Sequence, residues 1–382
     1  MIEKILGRIA RFSEKKPFLM VAIIITLTIF AGLEATNVKS QTAFEKMLPQ
    51  DDPIIKTLYE VRDNFGGTDI ITICIKLKPS DSPDKVNDIR DPRVLSYVKF
   101  LEEDLNGIDG ITKINSPADV IFQKNDGKVP NDIDTVKEIC ESLTDEEKSR
   151  IFNSEYSMVI INAYTDTGGD QKKLLRLMDD VNERIKDSPT PPGVEVVCTG
   201  TPPMRDLLNT LMKESQVFTT TVGGIGILFI LYLYFRKPLS TVMPLIPVLV
   251  AVVWTGGAMG VLGIPVDMAT AGMGSLLLGM GIDYGIHLMH RYEEERKKKI
   301  PSDKAVETAV VSTGTAVIVT TATTVVGFLA LVFAPLPMMA NLGKVCALGI
   351  FFCMVSVITL LPAMLIIEER YILPLIGKNR EK

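Results

Sequence analysis

The sequence predicts an α-helical membrane bundle of six transmembrane helices, with one α+β domain of ferredoxin-like organisation outside the membrane. Three observations predict this fold class. The 382-residue chain concentrates its apolar residues in long runs near the N-terminus and after about residue 216. The stretch between them, Asn37–Ser215, is ordinary soluble sequence rich in Asp, Glu and Lys. The Lys and Arg residues that flank the apolar runs fall on one side of the membrane if every run crosses once.

The N-terminal segment, residues 1–16, predicts an amphipathic helix on the membrane surface, although a solvated helical start would show a similar pattern. Its apolar residues at helical spacing are Ile2, Ile5, Leu6, Ile9 and Phe12. Pro17 opens the first apolar run, which continues to Ala35. Because this run is long and no convincing small-residue cleavage site follows it, we expect an uncleaved transmembrane helix rather than a signal peptide.

Five further apolar runs predict transmembrane helices 2–6 within residues 217–367. They are Val217–Phe235, Leu239–Gly263, Met268–His290, Val310–Ala334 and Leu342–Ile367. Each is near the ~20 residues that are needed to cross ~30 Å of hydrocarbon.

The orientation of the bundle follows from the basic residues. Nearly all of those that flank the membrane lie in the N-terminal helix, at Arg236–Lys237, at Arg291–Lys299 and in the tail, residues 368–382, whereas the turns near residues 265 and 336 carry none. By the positive-inside rule, both termini are cytoplasmic and residues 36–216 form an extracytoplasmic domain of a cell-membrane protein.

The outer segment alternates between strand and helix patterns. The predicted strands are Thr68–Leu77, Ile111–Ile114, Tyr156–Tyr164 and Val194–Thr199; the predicted helices are Asp91–Leu105, Asp170–Ile185 and an acidic insertion around Asp134–Arg150. Without the insertion the order is β-α-β-β-α-β, that of a ferredoxin-like split unit, for which we expect the strand order 4-1-3-2. Strands 1 and 4, which carry Cys74 and Cys198, would then be neighbours. We expect no disulfide, because the odd Cys140 and the lack of paired spacing argue against a disulfide framework.

The composition excludes several functional classes. Residues 37–215 carry 23 Lys and Arg against 33 Asp and Glu, and this acidic balance argues against nucleic acid as a partner. The five cysteines include no Cys-x-x-Cys pair, so we expect no metal site. Neither a GxxxxGK[ST] loop nor a nucleophile–base arrangement is recognisable. We therefore expect no enzymatic activity and no cofactor, and any work must draw on an ion gradient.

One membrane segment carries the candidate site: GMGIDYGIHLMHRYEEE, residues 279–295. Asp283 lies eight residues before Arg291, which marks the interface, and is therefore roughly 12 Å deep. A charged carboxylate at that depth costs ~3 kcal/mol or more, so membrane helices rarely carry one without a function. We predict that Asp283 gains and loses a proton as its surroundings change. The alternative is that Asp283 is permanently protonated and only forms a hydrogen bond to a neighbouring helix.

Several neighbours could support this carboxylate. Tyr284 adjoins Asp283, and His287 is four residues on and so on the same helical face, either as a relay member or as a residue at the interface. The next span clusters four threonines, which could bond Asp283 or bond back to their own helix: Thr320, Thr321, Thr323 and Thr324. Small residues on the Asp283 helix predict close packing, within the bundle or across a subunit interface, chiefly at Gly279, Gly281 and Gly285.

The two motifs GMGIDYGIHLMHRYEEE and TTATTVVGFLAL together resemble the resistance–nodulation–division exporters. The resemblance is greatest to the hydrophobe/amphiphile and mycobacterial-lipid-exporter (MMPL) branch, whose bundle is similar to that of sterol-sensing domains. It implies that residues 36–216 are a porter domain, and that Asp283 and Tyr284 relay protons, the Tyr partnering the Asp across two halves. Most members have twelve spans, so six here imply a second copy or a different mechanism.

This resemblance implies a proton-motive-force-driven exporter of hydrophobic or amphipathic, lipid-like molecules. A passive lipid-binding or sensing module is the alternative, and an accessory of protein translocation is a further one whose motif is absent. We expect membrane lipids as partners and a homodimer, with a trimer also open, because two copies of six spans regenerate twelve around a symmetry axis.

Overall fold

The computed structural model describes residues 2–65, 69–116, 118–167 and 170–375. They form two compact units. We call Gln50–Thr210 the outer unit. The membrane unit combines the chain before it with the chain after it. Among the described residues, the helices that are long and apolar enough to be candidate membrane spans lie in the membrane unit. One of them begins in the outer unit, at Thr201.

Most helices of the membrane unit are long, and from Thr201 onward they follow one another with short connections. They are α1 (Ile2–Lys15), α2 (Pro17–Ala35), α9 (Thr201–Phe235), α10 (Pro238–Val242), α11 (Leu245–Leu262), α12 (Met273–Lys297), α13 (Ser302–Ala330) and α14 (Pro337–Ile367). Among the residues that the structure describes, five segments have the length and hydropathy of a membrane span, and they contain α2, α9, α10 with α11, α13 and α14. The helix α12 is not among them, because its Gly, Asp and His residues lower its mean hydropathy.

Three of the predicted span boundaries are corrected by the structure. Helix α12 begins at Met273 rather than Met268, because the side chain of Asp267 accepts hydrogen bonds from the backbone N–H groups of Ala269 and Thr270 and holds a turn. It continues to Lys297 rather than ending at His290, so most of the charged run after His290 is helical. Helix α13 likewise begins at Ser302, eight residues before the apolar run.

The N-terminal helix α1 packs against other helices of the bundle. Leu6 and Ala10 are buried, and a Cβ at Gly314 of α13 would lie 3.2 Å from Leu6. Arg11 pairs with Glu307 of α13 at 3.5 Å. Ile5 and Phe12 stay exposed, which leaves an apolar strip on α1 for the predicted membrane surface.

Helices α11 and α2 approach each other closely at two glycines. A Cβ on Gly260 would lie 2.0 Å from the carbonyl oxygen of Glu34, and one on Gly257 would lie 2.6 Å from that of Ala31. The indole Nε1 of Trp254 donates to Thr28 Oγ1 over 3.0 Å. Glycines at this spacing let two backbones approach in lipid, and these two were not among the glycines predicted to pack.

The outer unit is an antiparallel sheet with helices. Its elements are α3 (Pro53–Phe65), β1 (Asp69–Leu77), α4 (Pro92–Leu105), β2 (Ile111–Asn115), α5 (Ala118–Lys124), α6 (Ile133–Glu141), α7 (Asp145–Ile151), β3 (Met158–Thr165), α8 (Gln171–Asp187) and β4 (Val194–Gly200). The sequence pattern did not predict α3 and α5, and it did not separate α6 from α7. Thr68, the predicted start of the first strand, lies outside the described residues.

The strand order is β2-β3-β1-β4, and all three pairings are antiparallel. This is the predicted order 4-1-3-2, so that prediction is confirmed. Along β1 every second residue is buried: Ile71, Ile73 and Ile75 pack into the core, whereas Thr72 and Cys74 between them stay partly exposed. Helices α4 and α8 contribute Leu101 and Leu174, among others, to the same core. One face of the sheet therefore carries the helices.

Cys74 and Cys198 lie on neighbouring strands but point to opposite faces of the sheet. Cys74 is paired with Val197, and Cys198 is paired with Ile73, a residue of the core face. All five cysteines are free. Burial raises the pKa of the Cys198 thiol to about 11. The expected absence of a disulfide thus has a geometric reason, since side chains on opposite faces of a sheet cannot meet.

Candidate functional site

Helix α12 has one face in the bundle and one face open. Leu277, Leu278 and Leu288 are buried in the bundle core. An exposed stripe runs along the other side, at a spacing of three or four residues, which keeps it on one face. Its members are Leu276, Gly279, Asp283, His287 and His290.

The three glycines predicted to pack divide between these two faces. A Cβ on Gly281 would lie 2.6 Å from Cys353 Sγ of α14, and one on Gly285 would lie 2.9 Å from the carbonyl oxygen of Pro244. Both are therefore packed against the chain's own bundle. A Cβ on Gly279 would meet no described atom within 4 Å, so this glycine belongs to the open stripe. Of the two alternatives for these glycines, packing within the bundle therefore describes Gly281 and Gly285.

Asp283 lies in a pocket between α12 and α13 with a volume of about 600 Å³. Tyr284 and His287 of α12 also line it, together with Ile350 of α14. The Asp283 side chain is exposed, and among the residues that the structure describes no hydrogen bond or ion pair to its carboxylate is found. Tyr284 is buried, at 9% exposure. The structure thus brings the predicted Asp, Tyr and His into one open cavity.

Only two of the four predicted threonines reach this pocket. Thr320 and Thr324 line it, whereas Thr321 is buried at 2% exposure and Thr323 is exposed elsewhere. Thr324 Oγ1 donates to the carbonyl oxygen of Thr320 over 2.8 Å, and Thr320 Oγ1 donates to that of Ala316 over 3.1 Å. These hydroxyls bond back to their own helix, which was the second of the two alternatives.

A further threonine, Thr313, lines the same pocket and was not among the residues predicted from the sequence. It lies seven residues before Thr320, and seven residues are close to two helical turns, so the two share one face of α13. This spacing was the available signal. Thr313, Thr320 and Thr324 form the polar wall of α13 that faces Asp283.

The end of α12 that carries the charges is anchored rather than solvated. Tyr292 is fully buried, and its hydroxyl donates to the carboxylate of Glu369 in the segment after α14. Arg296 forms an ion pair with the same carboxylate. Arg291 Nη2 lies 2.8 Å from Glu295 Oε1. These contacts fix the depth of α12, and hence of Asp283, relative to the end of α14.

A second buried polar cluster, in the outer unit, was also not predicted. The carboxylate of Asp69 is approached by Arg205 Nη1 at 3.6 Å and by Arg62 Nη2 at 3.9 Å. Thr167 Oγ1 donates to Asp69 Oδ2 over 3.2 Å. Asp69 begins β1, Arg62 is on α3 and Arg205 is near the start of α9, so the cluster ties three elements together.

Comparison with known proteins decides the family. A model of the MMPL family matches residues 120–381, which include α12 and α13. The chain belongs to the MMPL family. The predicted MMPL membership is therefore confirmed, and the chain is a multi-pass membrane protein of a transporter family.

Individual MMPL relatives differ greatly in length. MJ1562 of Methanocaldococcus jannaschii, named as a membrane protein, is 74% identical over 378 residues, which cover 99% of this chain and 97% of that protein. The sulfolipid-1 exporter MmpL8 of Mycobacterium tuberculosis is 23% identical over 379 residues, 95% of this chain but 31% of MmpL8. MmpL12 of the same species, named as a transport protein, is 32% identical over 166 residues, 42% of this chain and 14% of MmpL12.

Proposed function

We propose that this protein is a proton-driven exporter of hydrophobic or amphipathic molecules, chiefly lipids, and that it works as a homodimer. The lipid class is supported by membership of the MMPL family and by the sulfolipid-1 exporter among its relatives. The proton drive is supported by Asp283, whose carboxylate lies in the pocket between α12 and α13.

The single observation that carries the proposal is the exposure of Asp283 on a helix packed among membrane-length helices. Helix α12 has 25 residues and is therefore about 37 Å long, enough to cross a bilayer as a sixth span. An ionisable group that faced lipid at this depth would cost ~3 kcal/mol or more. Asp283 must therefore be covered by water or by another protein surface.

A second copy of the chain supplies that cover in our proposal. Two copies that meet at the exposed stripe of α12 would place the two Asp283 pockets beside the symmetry axis. Each copy would also bring its threonine wall, Thr313, Thr320 and Thr324, to the shared cavity. In a trimer, three copies in a ring would cover the same face of α12. Measurement of the particle mass distinguishes a dimer from a trimer.

In the transport cycle that we propose, protonation neutralises Asp283 in the pocket that Tyr284 and the threonine wall also line. The loss of the Asp283 charge changes which of two helix packings is favoured. Movement of α2 and α9 then reaches the outer unit, since these helices flank it in the chain. The outer unit acts as a ferredoxin-like porter domain that opens and closes around a molecule from the outer leaflet.

Reconstitution tests this function. The full chain is placed in phosphatidylcholine vesicles with a fluorescent phospholipid, and transfer of the probe is followed with and without an imposed pH gradient. We expect gradient-dependent transfer in the wild type and none in Asp283→Asn, which keeps the shape of the side chain and removes its titratable proton. Asp303→Asn, a half-buried carboxylate in the first turn of α13, is the matched control. Proton-driven transfer by Asp283→Asn would contradict the mechanism.

The alternative of a passive lipid-binding module is favoured by one separate feature. An apolar groove of about 410 Å³ lies between α2, α11 and α14, and Ile25, Val250 and Leu360 are among its lining residues. A hydrocarbon chain fits such a surface because burial of apolar area is favourable. Probe binding without any gradient-dependent transfer would support this alternative over the exporter.

A further inference from the structure

The exposed stripe of α12 continues past Asp283 as a row of titratable side chains. Asp283, His287, His290 and Glu294 are separated by four, three and four residues. At 100° per residue they fall within about 60° of arc on one side of the helix. The row rises about 16 Å along the axis, from the pocket to the anchored, charged end of α12.

We infer that His287 and His290 form a proton path that joins Asp283 to the end of α12 carrying Arg291 to Lys297. This inference rests on the proposed function. It gives the two histidines, which are the only ones in the chain, a role in the rate at which Asp283 exchanges its proton. In the orientation predicted from the basic residues, this end of α12 faces the cytoplasm. The path therefore sets the side of the membrane on which Asp283 exchanges its proton.

The distances along the row suit transfer through single water molecules. Side chains at i and i+4 on a helix have Cβ atoms about 5–6 Å apart, and a water molecule can bridge two polar groups at that separation. The pocket holds Asp283 and His287 together and is roomy and polar enough for water. At the far end, His290 Nδ1 lies 3.8 Å from Glu294 Oε1, which is close enough to stabilise an imidazolium ion.

Each step conserves the proton. The carboxyl O–H of Asp283 breaks and the proton passes through water to an imidazole nitrogen of His287, which leaves a carboxylate and an imidazolium. The proton on His287 then passes through water to one imidazole nitrogen of His290, which leaves His287 neutral. His290 releases a proton from its other nitrogen to the solution at the helix end and is neutral again. Imidazole suits this task because it changes charge near neutral pH and has two nitrogens, one to accept and one to donate.

Within one copy, the helices packed against α12 bring no titratable side chain into the pocket. The α13 residues that line it are Thr313, Ala316, Val317, Thr320 and Thr324, and the α14 residue is Ile350. None of these α13 and α14 lining residues carries a titratable side chain. At the helix end, Arg291 Nη1 donates to Glu294 Oε2 over 3.1 Å, so Glu294 is shared between Arg291 and His290.

The test measures how fast Asp283 takes up a proton. The full chain in vesicles of phosphatidylcholine and phosphatidylglycerol is given a pH jump, and the infrared carboxyl band that Asp283→Asn removes is followed in time. We expect His287→Ala to slow this protonation by about a hundredfold, the lower range for a positioned proton-transfer group, and His290→Ala to slow it less. Added imidazole should restore the rate in His287→Ala. Glu293→Gln, a half-buried carboxylate of α12 off the row, should keep the wild-type rate.

The outcomes separate this inference from the proposed function. Unchanged protonation rates in both histidine variants overturn the path, even if Asp283→Asn abolishes lipid transfer and so upholds the exporter. Slow protonation that imidazole does not restore also overturns it, because a structural defect at His287 would have that result. Gradient-driven lipid transfer by Asp283→Asn overturns the exporter instead. If the carboxyl band is absent at every pH, Asp283 does not titrate, and both the proton path and the proton-driven exporter are overturned.

Discussion

Arg205, near the start of α9, holds its guanidinium Nη1 3.6 Å from the carboxylate Oδ2 of Asp69, the first residue of β1. Both side chains are buried, with 5% and 8% exposure. Because α9 continues from Thr201 to Phe235, this ion pair fixes the first turns of a membrane-length helix to the beginning of a central strand. A buried charge pair of this kind is costly to break from one side only.

The outer unit should fold without the membrane helices. Gln50–Thr210 is a compact unit with a continuous apolar core, which includes Ile73, Leu101 and Leu174. We expect this fragment to be soluble and to unfold in one cooperative transition when urea is added and circular dichroism is followed. A fragment that shows no unfolding transition would mean that the core depends on the membrane unit.

Removal of the Asp69 charge should destabilise the outer unit strongly. Asp69→Asn leaves the guanidinium groups of Arg62 and Arg205 beside a neutral amide, whereas Arg205→Met leaves Arg62 still next to the carboxylate. We expect Asp69→Asn to lower the free energy of unfolding by about 3 kcal/mol or more, and by more than Arg205→Met does. Urea unfolding of the two variants measures the difference, and an equal or smaller effect of Asp69→Asn would contradict the assignment.

The helix cap at Asp91 should make the outer unit sensitive to acid. Asp91 Oδ1 accepts a hydrogen bond from the backbone N–H of Arg93 over 2.9 Å and caps α4. The side-chain hydrogen bond from Arg93 lowers the pKa of the Asp91 carboxyl, so its stabilising contribution is present above the unfolded-state value and is lost as pH falls through the folded-state value. We expect Asp91→Ala to cost about 1 kcal/mol near neutral pH.

The control for that experiment is Asp91→Asn, which keeps an N-cap acceptor but cannot ionise. Urea unfolding at several pH values should show that the deficit of Asp91→Ala shrinks below about pH 4, where the wild-type carboxyl is protonated in the unfolded chain. A deficit that is the same at every pH would show that the charge of Asp91 does not contribute.

Two glycines of α12 should respond in opposite directions to alanine. Alanine in a helix interior is favoured over glycine by about 1 kcal/mol, so Gly279→Ala should be neutral or stabilising because its Cβ meets open space. Gly285→Ala should destabilise the bundle, since its Cβ would lie 2.9 Å from the backbone of Pro244. Thermal unfolding in detergent, followed by fluorescence of the single Trp254, measures both. A loss of stability in Gly279→Ala would show that this face of α12 packs closely against another surface, such as that of a second copy.

Crosslinking should identify the face at which two copies meet. In a chain whose five cysteines are replaced by serine, Gly279→Cys should form a disulfide with its mate under mild oxidation. Gly285→Cys, on the bundle face of the same helix, should not. A crosslink at residue 285 but not at residue 279 would exclude the proposed interface, and absence of both in a preparation that transports lipid would remove the dimer.

Local chemistry made much of this structure predictable. Whether a segment forms a membrane helix depends on its own apolar content, so α2, α11 and α14 could be located within a few residues. The strand order followed from the β-α-β-β-α-β pattern, because that arrangement of strands and crossovers has few ways to close a sheet. The helix ends were less well predicted, since polar contacts such as those of Asp267 and Glu369 decide where α12 begins and where its charged end is held.

By itself, the sequence determined that Asp283 lies within a membrane-length helix, beside Tyr284 and four residues from His287. Only the tertiary structure decided which face of that helix is open. Gly281 and Gly285 point towards α14 and Pro244, so Asp283 is left on the opposite, exposed side. The reason is physical: a helix with small residues on several sides can pack in more than one rotation, and the shapes of its neighbours choose among them.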